Sequence, residues 1–106
     1  MVSNIVVICQ HGASTGMLVE KMLEAAKKKK IKIVINAYSE AKLVDVIDDA
    51  DIVLIAPQVR YKKTELETKY ANKGIPFMMI EMMDYGMLNG EKVLNEALEK
   101  LEQKRR

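Results

Sequence analysis

Four short apolar runs recur along the chain. They occupy residues 5–8, 31–35, 52–55 and 77–80. The first and the third consist only of Ile, Val and Leu, without alternation, which is typical of parallel strands buried on both faces. The four runs therefore predict a sheet of four strands.

Helical spacing of apolar residues fills the intervals between these predicted strands. It predicts a long helix over residues 14–30, a short helix before the third strand, and a last helix capped by Asn89. Thr64 and Glu67 have the spacing of a capping box, which predicts a further helix from near Thr64 to Asn72, ended by Gly74. The apolar residues at helical spacing are Leu18, Met22, Ala25 and Ala26 in the long helix and Leu43, Val44 and Ile47 in the short one. The inner face of the last helix carries Val93, Leu94, Ala97, Leu98 and Leu101.

Strands and helices alternate with short connections, so residues 1–106 are predicted to form a single domain. Right-handed crossovers then give a doubly wound α/β fold, a four-stranded parallel sheet with helices on both faces, like flavodoxin or the low-molecular-weight phosphatases. Ligands of such sheets bind beyond the carboxyl ends of the strands. We therefore expect the site among residues 9–16, 36–39, 56–62 and 81–90.

A cysteine ends the first predicted strand and stands just before the first helix. The N–H groups at a helix N-terminus have no partner within the helix and favour an anion. A cysteine at this place gains thiolate character for the same reason. The sequence thus predicts a loop that binds a phosphate attached to Cys9. The candidate phosphate-binding residues are Gln10, His11, Gly12, Ala13, Ser14 and Thr15.

Other interpretations of this loop stay open. Cys9 could be a small buried apolar residue with no chemistry. The spacing fits neither a Walker A loop nor the dinucleotide fingerprint. In a cysteine phosphatase loop, an Arg six residues after the nucleophile grips the phosphate oxygens, and here that position is Thr15. This difference favours a carrier or transferase over a phosphatase.

Composition removes several classes of protein. The 106 residues include one Cys and one His, which excludes an internal disulfide and a structural zinc site, and we expect no metal and no cofactor. A net charge of +2 gives no reason to expect nucleic acid as a partner. No run approaches the roughly 20 apolar residues that span a bilayer, and no basic segment precedes residues 5–8, so we expect a cytoplasmic protein that does not insert into the membrane.

Three motifs occur along the chain in a fixed order. The first is Cys9, Gly12, Ser14 and Thr15; the second is Pro57-Gln58-Val59-Arg60-Tyr61, preceded by Ala56; the third is Tyr85-Gly86-Met87-Leu88-Asn89-Gly90. Together they resemble the pattern of the IIB component of the lactose/cellobiose family of the bacterial sugar phosphotransferase system. The resemblance covers essentially the whole chain. It departs from the family at Ala56, where Gly is usual, at Ala13, where Met is common, and at Gln10-His11, which replace a smaller pair.

The resemblance implies a phosphotransferase that works through a phosphocysteine. Cys9 would accept a phosphoryl group from a histidine of the IIA partner. It would pass the group to a sugar of the cellobiose, lactose or oligo-β-glucoside class bound in the membrane component IIC. Such a carrier is expected to be a monomer with a modest, transient interface around the cysteine loop. The candidate partner contacts are Val59, Tyr61, Met87 and Leu88.

Two alternatives belong to other classes of protein. One is a cysteine phosphatase or an arsenate reductase; the other is a flavodoxin-like binding module in which Cys9 is structural.

Two further clusters are predicted to have structural roles. Most of the five methionines within residues 78–87 are expected to pack in the core, and a minority, such as Met87, to form an adaptable rim for partners. Asp48, Asp49 and Asp51 are expected to mark the turn into the third strand, at the end of the sheet opposite Cys9.

Overall fold

The computed structural model describes residues 2–10 and 12–105. These residues form four strands: β1 (Ser3–Cys9), β2 (Ile33–Ser39), β3 (Ile52–Ile55) and β4 (Phe77–Met79). The strands form one parallel sheet in the order β2-β1-β3-β4. The predicted four-stranded parallel sheet is therefore confirmed.

Five α-helices connect and cover the strands. They are α1 (Gly12–Lys28), α2 (Leu43–Val46), α3 (Lys63–Lys69), α4 (Met82–Gly86) and α5 (Gly90–Arg105). Short 3₁₀ turns lie at Glu40–Lys42, Ile47–Asp49, Pro57–Lys62 and Ala71–Lys73.

Strand β1 shows why helices cover both faces of the sheet. Successive side chains of a strand point to opposite faces, so Ile5 and Val7 pack in one core and Val6 and Ile8 in the other. Helices α1 and α5 supply the first core, for example with Leu18. Helices α2 and α3 contribute to the second. The doubly wound fold is thus confirmed.

The boundaries of one strand and one helix differ from the predicted ones. For the strand, hydrogen-bond pairing with its neighbour decides the boundary, and the apolar pattern does not. The second strand lies at residues 33–39 instead of 31–35, because β2 is an edge strand that pairs with β1 as far as Ser39 opposite Cys9. An edge strand needs no continuous apolar run, since it is less completely covered. Helix α1 begins at residue 12, two residues earlier than predicted. Helix α4 was not predicted at all.

The predicted helix caps had different outcomes. Asn89 caps α5, with its Oδ1 atom accepting a hydrogen bond from the backbone N–H of Lys92 at 3.2 Å. The capping box of Thr64 and Glu67 is wrong: α3 begins at Lys63, whose Nζ atom lies 3.0 Å from Glu67 Oε1. Gly74, with φ of +67°, ends the 3₁₀ turn that follows α3, a backbone conformation that favours glycine.

Candidate functional site

The carboxyl ends of the strands meet at one end of the molecule, here called the carboxyl end of the sheet. The backbone carbonyl of Ile8 accepts a hydrogen bond from Ala56 N–H at 2.9 Å, and that of Ile55 accepts one from Ile80 N–H at 2.8 Å. These bonds bring the segments after β1, β3 and β4 together. The segment within β2 joins them through Tyr38, which contacts Cys9.

Cys9 is the last residue of β1 and its side chain is only 2% exposed. The thiol donates a hydrogen bond to the backbone carbonyl of Tyr38, with 3.7 Å between sulfur and oxygen. A thiolate has no proton to donate, so deprotonation of Cys9 removes this contact. Helix α1 begins three residues after the cysteine. The first N–H groups of that helix, at residues 12–14, have no acceptor within it.

The predicted phosphate-binding residues differ in their exposure and in their contacts. Gln10 is exposed beside Cys9. The predicted role of His11, and those of the side chains at residues 12–14, fall outside the described part of the structure. Thr15 is completely buried, and its Oγ1 atom lies 2.9 Å from the hydroxyl of Tyr85. The Thr15 hydroxyl is thus paired with another side chain of the fold.

Tyr85 lies in α4, beside a charged pair that joins α4 to α5. The carboxylate of Asp84 is buried, and Lys92 Nζ lies 3.0 Å from its Oδ2 atom and 3.2 Å from its Oδ1 atom. The hydrogen bond to Asp84 raises the pKa of Lys92 above its usual value, and the opposing effect of desolvation is smaller. The backbone carbonyl of Asp84 also accepts a hydrogen bond from Asn89 N–H at 2.9 Å. These bonds hold the α4–α5 corner in place.

The four predicted partner contacts divide into two pairs. Tyr61 and Met87 are 69% and 75% exposed. Val59 is buried in the core on the α2 and α3 side, because the turn at Pro57–Lys62 folds it inward. Leu88 is half-buried, with φ of +54°, and packs against the other core. Of the four, only Tyr61 and Met87 have largely exposed side chains.

The methionines of this region are mostly at the surface. Met78 alone packs in the core as predicted. Met79, Met82, Met83 and Met87 are all exposed. The core prediction is wrong for Met79, Met82 and Met83, because β4 is only three residues long and α4 turns its two methionines outward. Met87, which was expected at the rim, is exposed. Flexible, polarizable methionine side chains are common at surfaces that bind partners.

The aspartate cluster lies at the opposite, amino end of the sheet, as predicted. Asp51 Oδ2 accepts a hydrogen bond from the backbone N–H of Asn4 at 2.7 Å, near the start of β1. Lys73 Nζ lies 2.6 Å from Asp48 Oδ1. Among the described residues, no group of three or more His, Cys, Asp or Glu side chains is arranged to hold a metal ion.

The site and the fold together define a class: a doubly wound α/β domain with a cysteine between its first strand and its first helix. A sequence profile described as "PTS system, Lactose/Cellobiose specific IIB subunit" matches residues 4–96. The chain belongs to this family. It is a IIB component of the sugar phosphotransferase system, a phosphotransferase, and IIB components work with IIA and IIC partners.

Characterised relatives are similar along most of their length. The chain is 37% identical over 98 residues to a galactose-specific EIIB component of Lactococcus lactis subsp. cremoris, covering 88% of this chain and 91% of the relative. It is 37% identical over 94 residues to an oligo-beta-mannoside-specific EIIB component of Bacillus subtilis, covering 89% and 91%.

Solved structures give the same picture. The solution structure of a cellobiose-specific IIB component from Borrelia burgdorferi superposes with a TM-score of 0.84 at 43% identity, over 98% of this chain and 95% of that one. A lactose-specific IIB domain from Streptococcus pneumoniae has the same TM-score at 23% identity, over 93% and 97%, which supports the fold. Among the residues that the structure describes, no helix has the length and apolar character needed to cross a membrane.

Proposed function

We propose that Cys9 carries the phosphoryl group. In this proposal the cysteine accepts the group from a phosphohistidine of IIA and passes it to a sugar bound by IIC. The observation that supports it is the position of Cys9, at the carboxyl end of the buried strand β1 and three residues before the first helical N–H groups. Charge that develops on a phosphoryl group at the sulfur would face those N–H groups, which favour anions.

Each transfer balances as an in-line displacement at phosphorus. The Cys9 thiolate forms the S–P bond, the P–N bond of the phosphohistidine breaks, and its electron pair returns to the imidazole nitrogen. In the second step a sugar hydroxyl oxygen forms the O–P bond and loses its proton to water. The S–P bond then breaks and the thiolate is restored. Such transfers need positioning and charge stabilisation more than acid–base catalysis.

The surroundings of Cys9 favour holding the phosphoryl group over hydrolysing it. The position that holds the essential Arg of cysteine phosphatases is the buried Thr15, paired with Tyr85. Arg60, in the segment after β3, donates a hydrogen bond from Nη1 to the Pro57 carbonyl at 3.1 Å. A phosphoryl group held by neutral N–H groups can wait for its acceptor.

Tyr61 and Met87 are proposed as partner contacts because both are exposed. The proposed carrier acts in the cytoplasm as a monomer that binds IIA and IIC in turn through a small interface. Its sugar is proposed to belong to the cellobiose, lactose or oligo-β-glucoside class. The names of the relatives, which include galactose, cellobiose and oligo-beta-mannoside systems, support a sugar of this general kind.

Intact-mass measurement tests the carrier role. The chain is incubated with phosphoenolpyruvate, the general phosphotransfer proteins and a candidate IIA, beside a Cys9→Ser control. We expect a gain of one phosphoryl group in the native chain and none in the control. An unchanged mass with several IIA proteins, while Cys9 still reacts with a thiol reagent, would contradict the proposal. Release of inorganic phosphate from an aryl phosphate would favour the phosphatase alternative.

A further inference from the structure

One hydrogen bond joins the start of α1 to α4, across 70 residues of sequence. It connects the Thr15 Oγ1 atom to the Tyr85 hydroxyl, 2.9 Å away. Thr15 is the fourth residue of α1, directly after the three residues 12–14 whose N–H groups are free of helical partners. Its side chain is completely buried. A shift of Thr15 would therefore shift those N–H groups as well.

Tyr85 is itself firmly held at the carboxyl end of the sheet. Its ring packs against core residues on both faces of the sheet. Its backbone N–H donates to the Glu81 carbonyl at 3.0 Å, and its carbonyl accepts from Leu88 N–H at 3.1 Å. The neighbouring Asp84 is anchored to Lys92. The hydroxyl of Tyr85 thus stands at a fixed place from which it can hold Thr15.

We propose that Tyr85 is a positioning residue for phosphoryl transfer. Through Thr15, its hydroxyl holds the first turn of α1 where the N–H groups of residues 12–14 meet the phosphoryl group on Cys9. Tyr85 acts through Thr15 and not on the phosphoryl group itself. This inference rests on the proposed carrier role of Cys9. Donors that are already in place stabilise a transition state without reorganisation, so a loosened first turn slows transfer.

The Tyr85→Phe variant tests this role, because it removes the hydroxyl and keeps the ring. Transfer from phosphorylated IIA to Cys9 is followed in single-turnover experiments over a range of IIA concentrations. We expect the rate at saturating IIA to fall about fivefold, the change that one ordinary hydrogen bond represents, with an unchanged half-saturating concentration. Tyr70→Phe is the control, since Tyr70 is a buried tyrosine of the core on the α2 and α3 side, whereas the half-buried Tyr85 contacts both cores. Its transfer rate is expected to equal that of the native chain.

Variants of Thr15 separate the hydrogen bond from packing. Thr15→Val replaces the hydroxyl by a methyl group of similar size and is expected to give the same fivefold loss, whereas Thr15→Ser keeps the hydroxyl and most of the rate. The double variant Thr15→Val with Tyr85→Phe is expected to lose no more than either single variant, because each removes the same Thr15–Tyr85 hydrogen bond. Additive losses in the double variant would overturn the inference.

Hydrogen exchange gives a readout that does not depend on transfer. The backbone amides of residues 12–14 are expected to exchange faster in Tyr85→Phe, and at the native rate in Tyr70→Phe. If the native chain takes up no phosphoryl group on Cys9, the carrier proposal fails. If it does, and Tyr85→Phe transfers at the native rate or Tyr70→Phe is slowed equally, only the positioning role of Tyr85 is overturned.

Discussion

The two ends of the sheet hold polar residues of different kinds. At the amino end the charged groups are satisfied by bonds that stabilise the chain's own turns. Asp51 accepts from the backbone of Asn4, and Asp48 pairs with Lys73. Asn4 Nδ2 also donates to the Asp49 carbonyl, at 2.9 Å. This end ties the turn before β3 to the start of β1.

The carboxyl end brings together polar groups of another kind. These groups are the buried thiol of Cys9, the start of the long helix α1, and the paired hydroxyls of Thr15 and Tyr85. Exposed apolar side chains, Tyr61 and Met87 among them, lie in the segments that follow β3 and β4. The comparison shows that the run of acidic residues at the amino end is accounted for by bonds within the chain.

The packing of α5 on α1 allows the strongest test of how the carboxyl end is held. A Cβ atom at Gly90 would lie 2.4 Å from the backbone carbon of Lys21 and 2.5 Å from the nitrogen of Met22, both in α1. The Gly90→Ala variant must therefore push the two helices apart. We expect it to lower the free energy of unfolding by about 3 kcal/mol, measured by urea denaturation.

Gly86→Ala is the matched control for that variant. A Cβ atom at Gly86 meets nothing within 4 Å, and the residue is the last of α4. Replacing a helical glycine by alanine there should leave stability unchanged or raise it by up to about 1 kcal/mol. If Gly90→Ala were as stable as Gly86→Ala, close approach of α5 to α1 would not be what fixes this corner.

The charged pair of the α4–α5 corner gives a smaller, pH-dependent effect. Because Asp84 raises the pKa of Lys92 above 10.5 in the folded chain, the pair contributes its full stability below pH 10.5. The contribution is lost as the pH rises through the raised pKa of Lys92. The Asp84→Asn variant should therefore be less stable at neutral pH and lose less further stability between about pH 10 and pH 12. Thermal unfolding of both chains over this range measures the effect.

A second lysine provides the internal reference for that measurement. Lys62 also has a raised pKa, chiefly because it donates a hydrogen bond to Glu40, and Asp84→Asn leaves that pair intact. A reduced but not abolished loss above pH 10 is thus expected. Identical alkaline profiles for the native chain and the variant would mean that the Asp84–Lys92 pair adds nothing to folding.

Much of the fold could be predicted because its signals are local. The unbroken apolar run of β3, the Asn89 cap and the position of Cys9 at the end of β1 depend only on neighbouring residues. The position of the candidate site followed from the parallel topology, since ligands of such sheets bind at the carboxyl ends.

The missed features depend on contacts between distant residues. Five residues are too few for helical periodicity, so α4 gave no pattern, and its start carries no side-chain cap. The pairing of Thr15 with Tyr85 joins residues far apart in sequence, and nothing near Thr15 indicates it. The apolar character of Met82 and Met83 suggested a core, but helix α4 exposes both. In each case the tertiary arrangement decided the outcome.

The smallest effect is expected at the amino end. Asp48 is largely exposed and pairs with a partly exposed lysine, so Asp48→Asn should lower the free energy of unfolding by less than about 1 kcal/mol. It should leave the rate of phosphoryl transfer to Cys9 unchanged, because the pair lies at the end of the sheet away from the cysteine. Denaturation and single-turnover transfer on the same sample measure both. A slowed transfer in Asp48→Asn would mean that the two ends are coupled, and that the function of this chain is not confined to the end that carries Cys9.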